Sequence, residues 1–95
     1  METKFEISLN MKTHKGIETY GSFKVGNNEQ FAKTLYQGLD SDDKISKGSV
    51  ITIDLIEIEN GIPFPLELRH CNYDQLADNI KRITKEMFIH LNLES

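Results

Sequence analysis

Two stretches of this chain follow one pattern. Asn27-Asn28-Glu29-Gln30-Phe31-Ala32 and Asn72-Tyr73-Asp74-Gln75-Leu76-Ala77 both read Asn-x-acid-Gln-apolar-Ala, and each follows a hairpin-like stretch. An offset of about 45 residues between them implies two ββα units, neither of which can bury its apolar face alone. The chain of 95 residues is then one domain, 1–95, made of a ββα unit at 4–39, a loop at 40–49 and a second ββα unit at 50–93. A domain of that size holds a thin but real core without disulfides or metals.

Residues 4 to 13 alternate, with Phe5, Ile7, Leu9 and Met11 on one side, which predicts a half-buried strand. His14-Lys15-Gly16 fits a three-residue hairpin loop with glycine at the left-handed position, and residues 17 to 25 return. Setting Thr13 against Ile17 pairs Met11 with Thr19, Leu9 with Gly21, Ile7 with Phe23 and Phe5 with Val25 on the inner side. The outer pairs Lys12 with Glu18 and Glu6 with Lys24 are then opposite in charge, as cross-strand stability prefers.

In the second hairpin, Asn60-Gly61 is the signature of a two-residue type I′ turn. Setting Glu59 against Ile62 sends Ile51, Ile53, Leu55, Leu66, Leu68 and His70 inward. The outer face then pairs Ile58 with Pro63, Ile56 with Pro65, Asp54 with Glu67 and Thr52 with Arg69. Prolines cannot donate to a ladder, so residues 62 to 71 read as an edge strand, whereas residues 50 to 58, apolar on both sides over much of their length, suit a central one.

Each hairpin leads into an amphipathic helix. Phe31, Leu35 and Leu39 recur every four residues in the first, with an Asn27 and Gln30 capping box and Gly38 at its end. Leu76, Ile80, Ile83, Met87 and Leu91 form a stripe about 80° wide in the second, flanked by Tyr73, Ala77, Thr84 and Phe88. The pieces assemble as an α+β two-layer sandwich: a four-stranded antiparallel sheet in the order 2-1-3-4 with both helices on one face. The polar segment Asp40-Ser41-Asp42-Asp43-Lys44 with Lys47-Gly48-Ser49 joins the halves as a loop.

Composition narrows function by exclusion. A net charge of −4 does not suit an electrostatic nucleic-acid binder, and the one outward aromatic, Tyr20, gives no stacking pair. No apolar run reaches membrane-spanning length and the N-terminus has no signal-peptide character, so we read the chain as cytoplasmic, without membrane contact. Cys71 is the only cysteine, which excludes an intrachain disulfide or a thiolate-rich zinc site. Gly16, Gly21 and Gly26 are isolated and explained by a turn, a bulge and a strand end, not by a phosphate loop. No catalytic, cofactor or metal motif is present, and the Asp40 to Asp43 cluster lacks the ligand spacing of a calcium loop. The reading therefore leans away from an enzyme and expects no cofactor.

Two sets of residues carry what functional signal there is. Ile56, Ile58, Pro63 and Pro65 would form an apolar patch on the sheet face away from the helices, the kind of cluster that marks a partner surface unless the hairpin twists back over its own core. Ile89 adds an apolar side chain off the buried stripe of the last helix. A homodimer is the commonest cover for such a patch, and a different protein partner would serve equally. The alternative is a small-molecule pocket or minor enzyme near Asp54, Glu67, Arg69 and His70, where facing carboxylates could share a proton or hold a divalent cation, or else lie solvated beside Arg69. His70 itself reads as a half-buried structural histidine and Cys71, on the opposite face, as a small apolar residue. His14 falls in a turn, and His90 near a helix C-terminus, where the dipole favours its charge.

Overall fold

A computed structural model describes residues 3–42 and 50–93; the loop expected at 40–49 therefore lies mostly outside the described residues. The elements run β1 (Thr3–Thr13), β2 (Gly16–Gly26), α1 (Glu29–Gln37), β3 (Ile51–Glu59), β4 (Ile62–Cys71) and α2 (Tyr73–Leu93). They form one antiparallel sheet in the order β2-β1-β3-β4, the α+β architecture that the alternation predicts. Phe5, Ile7 and Leu9 of β1 and Ile51, Ile53 and Leu55 of β3 face the helices and are almost fully buried. Ala32, Leu35 and Tyr36 of α1 and Ile83 of α2 close over them.

The helices start and stop where their caps dictate. Asn28 caps α1, its Oδ1 accepting from the Phe31 N–H at 2.9 Å, so the cap falls one residue later than the expected Asn27. Asn72 and Gln75 form the reciprocal box before α2: the Gln75 N–H donates to Asn72 Oδ1 at 2.8 Å and the Asn72 N–H to Gln75 Oε1 at 3.0 Å. Gly38 ends α1, its N–H reaching the carbonyls of Thr34 and Leu35. Asn79, 1% exposed, ties α2 to the chain after α1 by accepting from the Asp40 N–H and donating to the Asp40 carbonyl. Arg82 donates to the Gly38 carbonyl, and His90 stacks on Phe31 with ring centroids 3.9 Å apart. The apolar stripe of α2 packs through Leu76, Ile80, Ile83 and Met87, but Leu91 is 59% exposed, so the stripe outruns the core by one turn.

Both hairpins depart from an uninterrupted ladder. In the first, Leu9 pairs with Gly21, Ile7 with Phe23 and Glu6 with Lys24, as expected. Nearer the turn the pairs are Thr13 with Gly16, Lys12 with Ile17, Met11 with Glu18 and Asn10 with Thr19, and Tyr20 is left unpaired as a bulge. The turn is therefore two residues, His14-Lys15, and the predicted Met11 to Thr19 and Lys12 to Glu18 pairs do not form. A second shift next to Phe5 pairs it with Gly26 in place of Val25. An extra residue on one strand moves its neighbours by one position, which alternation alone does not reveal.

Candidate interaction surface

The second hairpin opens as predicted. Asn60 and Gly61 have φ of 52° and 82°, the positive values of a type I′ turn, and Glu59 stands opposite Ile62. Ile58 then pairs with Pro63 and Ile56 with Pro65. Residues flanking such a turn exchange both ladder bonds, so by alternation Pro63 and Pro65 occupy the positions whose nitrogen points away from β3. The prolines thus cost the ladder nothing. Instead they remove two donors from the free edge of β4 and blunt it against strand addition.

Beyond Pro65 the expected register fails. Leu66 is skipped, and the pairs become Leu55 with Glu67, Asp54 with Leu68, Ile53 with Arg69, Thr52 with His70 and Ile51 with Cys71. One bulged residue exchanges the faces of everything after it. Glu67 and Arg69 now lie on the helix side, and Leu68 and His70 on the open side. The predicted facing of Asp54 with Glu67 and of Thr52 with Arg69 is thereby overturned, as is the inward placement of Leu68 and His70.

The four polar residues singled out from sequence are consequently split between two faces. Under α1, Arg69 Nε is 3.3 Å from Glu67 Oε1, its guanidinium lies 4.8 Å from the centre of the Tyr36 ring, and Nη1 donates to the Tyr36 carbonyl. The Tyr36 hydroxyl donates to the Ile53 carbonyl at 2.6 Å, and burial pushes its pKa up. Cation, ring and hydroxyl pin α1 onto β3 and β4. Every group is engaged in holding the fold.

On the open face, Asp54 is paired with Leu68 and lies beside Thr52 and His70. Burial raises its pKa, opposed by a hydrogen bond from Thr52 and by the charge of His70. Its Oδ1 is buried and has no hydrogen-bond partner among the described residues. Next to it, Ser8 and Asn10 are buried although they face away from the helices. The Ser8 and Thr19 hydroxyls both donate to Asn10 Oδ1, at 3.0 and 2.6 Å. This polar row satisfies itself. Cys71 is buried in the core, which raises its thiol pKa; His14 is exposed at the first turn. Among the described residues no group of three or more His, Cys, Asp or Glu side chains is placed to hold a metal, and no helix is long and apolar enough to cross a membrane.

What the second hairpin does expose is apolar. Ile62, Phe64, Leu66 and Leu68 are 57, 46, 43 and 53% exposed, and Pro63 and Pro65 are exposed between them. Ile56 and Ile58 are half-buried on the same face as the prolines. All four residues of the predicted patch therefore share one face, as the sequence implied, with Leu68 added to it. Ile62 and Phe64 stand on the helix side opposite Glu59 and Glu57, so the hairpin tip presents apolar side chains on both faces. Alternation places Leu66 and Leu68 in the core and singles out neither Ile62 nor Phe64, so none of these four belongs to the patch expected from sequence. Ile89 of α2, the other apolar residue expected off the buried stripe, is half-buried.

Comparison of the chain with protein-family models, with curated proteins and with solved structures finds no match.

Proposed function

We propose that this chain is a non-enzymatic interaction module whose working surface is the tip half of the β3–β4 hairpin. A single observation carries the reading: over residues 62–68 every residue of β4 is exposed, and four of the seven are Ile, Phe or Leu. Isolated exposed apolar residues, such as Ile17 and Tyr73 here, are ordinary, but a contiguous apolar strand is the mark of a contact surface. The blunted edge supports contact through the faces of the hairpin rather than by adding a strand. The polar residues nearby are engaged in internal contacts or split between faces, which supports burial of apolar area, not bond chemistry, as the mechanism.

Photo-crosslinking tests this directly. A photoreactive residue at position 64 or 68, in the full chain within its own cells, is expected to give discrete protein adducts, while the same probe at exposed Lys81 of α2 gives none. Equal labelling at all three positions, or no adduct at the hairpin, would refute the reading.

A further inference from the structure

We infer that the occupant of the open face is a second copy of this chain, packed sheet against sheet about a twofold axis that crosses the strands between Ile56 and Ile58. The inference rests on the interaction reading above and names its partner. Its basis is the order of side chains on that face. Lys4 of β1 lies beside Ile58 of β3 and Pro63 of β4; one step along, Glu6 lies beside Ile56 and Pro65. Those two rows are complementary to each other. An axis between them, running across the strands, sets Ile58 over the second copy's Ile56 and Pro63 over its Pro65. It also sets Lys4 over the second copy's Glu6, and Glu6 over its Lys4.

An axis parallel to the strands and midway between β1 and β3 would bury Ile56 and Ile58 under Glu6 and Lys4, while one between β3 and β4 would stack Ile58 on Pro63 and Ile56 on Pro65 but leave Lys4 and Glu6 without a counterpart. The crossing axis keeps apolar on apolar and cation on anion, twice, as an isologous contact requires. It further brings the second copy's Leu68 toward the hollow of about 310 Å³ bounded by Lys4, Ile58, Asn60 and Gly61.

The area suits a weak, reversible dimer. β2 ends at Gly26, level with the axis, so the contact rests on β1, β3 and β4. Three strands about 4.8 Å apart, covered over roughly seven residues of about 3.4 Å each, give on the order of 350 Å² per copy. The pair buries about 700 Å², below the roughly 1,000 Å² of a stable interface and in the range of transient contacts. Pairing β2 edge to edge is a weaker alternative, because the bulge at Tyr20 interrupts that edge midway.

Sedimentation velocity across micromolar to sub-millimolar concentration tests the assignment on the full chain. Wild type is expected to shift reversibly from one to two chain masses. Lys4→Glu and Glu6→Lys each set like charges face to face and are expected to weaken the dimer by about tenfold or more, and the double variant to return within about threefold of wild type. Ile58→Asp should abolish the dimer. Because Glu6 also stands opposite Lys24 within the chain, thermal melts of each variant accompany the sedimentation. A wild type that stays monomeric overturns the inference, while discrete hairpin adducts to another protein would leave the interaction reading standing. A dimer whose double variant is as weak as the singles, with all variants folded, overturns the axis and the reciprocal pairing.

Discussion

The base and the tip of the second hairpin are built from the same residue types and meet opposite fates. At the base, Ile51, Ile53, Leu55 and Cys71 are at most 5% exposed. At the tip, Ile62, Phe64 and Leu66 on β4 are 43% exposed or more. Composition does not separate them; cover does. The short helix α1 reaches the base, where Tyr36 and Arg69 lock it down, and the strands continue past it. A strand is buried by what lies across it, so hydrophobic content predicts where contact is available and the neighbouring layer decides whether it is made within the chain.

Substitutions at the two ends are expected to separate stability from association. Ile53→Ala at the base removes a fully enclosed side chain and should cost about 2 to 5 kcal/mol in urea unfolding. Leu68→Ala at the tip should cost about 1 kcal/mol or less while weakening any hairpin contact. Comparable losses at both positions would break the contrast.

Tyr36→Phe sharpens it. The Ile53 carbonyl would lose its buried partner, at an expected cost of about 1 to 3 kcal/mol. The same unfolding curves read it, and a neutral result would show that packing and the Arg69 contacts hold α1 to the base without the hydroxyl.

Deleting Leu66 probes what divides base from tip. The deletion keeps every observed pair on both sides of the bulge, because Pro65 faces Ile56 and Glu67 faces Leu55 already. The shortened chain is expected to fold with a stability within about 1 kcal/mol of wild type and to retain amide protection at Ile53 and Leu55. Loss of folding would show that the bulge itself is required.

The smallest effect concerns Asp54, on the open face at the boundary. Its folded pKa is raised, chiefly by burial, so in the window between the ordinary carboxylate range and that raised value the folded state binds more protons than the unfolded one. Stability therefore falls as pH rises through the window, and the penalty is complete above it. Asp54→Asn should be more stable than wild type at neutral pH. That advantage should shrink as pH falls through the folded pKa and vanish below the ordinary range; thermal melts across acid pH read the trend.

Much of this architecture is legible in the residues. Alternation at Phe5, Ile7 and Leu9, the Asn60-Gly61 turn, the edge-marking prolines and the Asn-led helix starts suffice for six elements; the strand order follows only on placing β3, apolar on both sides, next to β1, since pseudo-twofold alternatives satisfy the same patterns. The apolar patch is legible too, since Ile56, Ile58, Pro63 and Pro65 lie on the turn side of the bulge. The rest of β4 past Pro65 is not. Leu66-Glu67-Leu68-Arg69 alternates as well with its leucines inward as outward, and the choice is made by contacts distant in sequence: Arg69 beneath Tyr36, and Cys71 beside Ile51. A bulge leaves no mark in local periodicity. The Asp54 and Glu67 pair was lost to that one residue.

Cross-strand Hα–Hα contacts in the NMR spectrum read the register of β3 against β4 without perturbing it. The account predicts a cross-peak in the non-hydrogen-bonded pairs consistent with Asp54 opposite Leu68 and Ile53 opposite Arg69. Contacts placing Asp54 opposite Glu67 and Ile53 opposite Leu68 would contradict it, returning the leucine to the core and removing it from the exposed surface on which the functional reading stands.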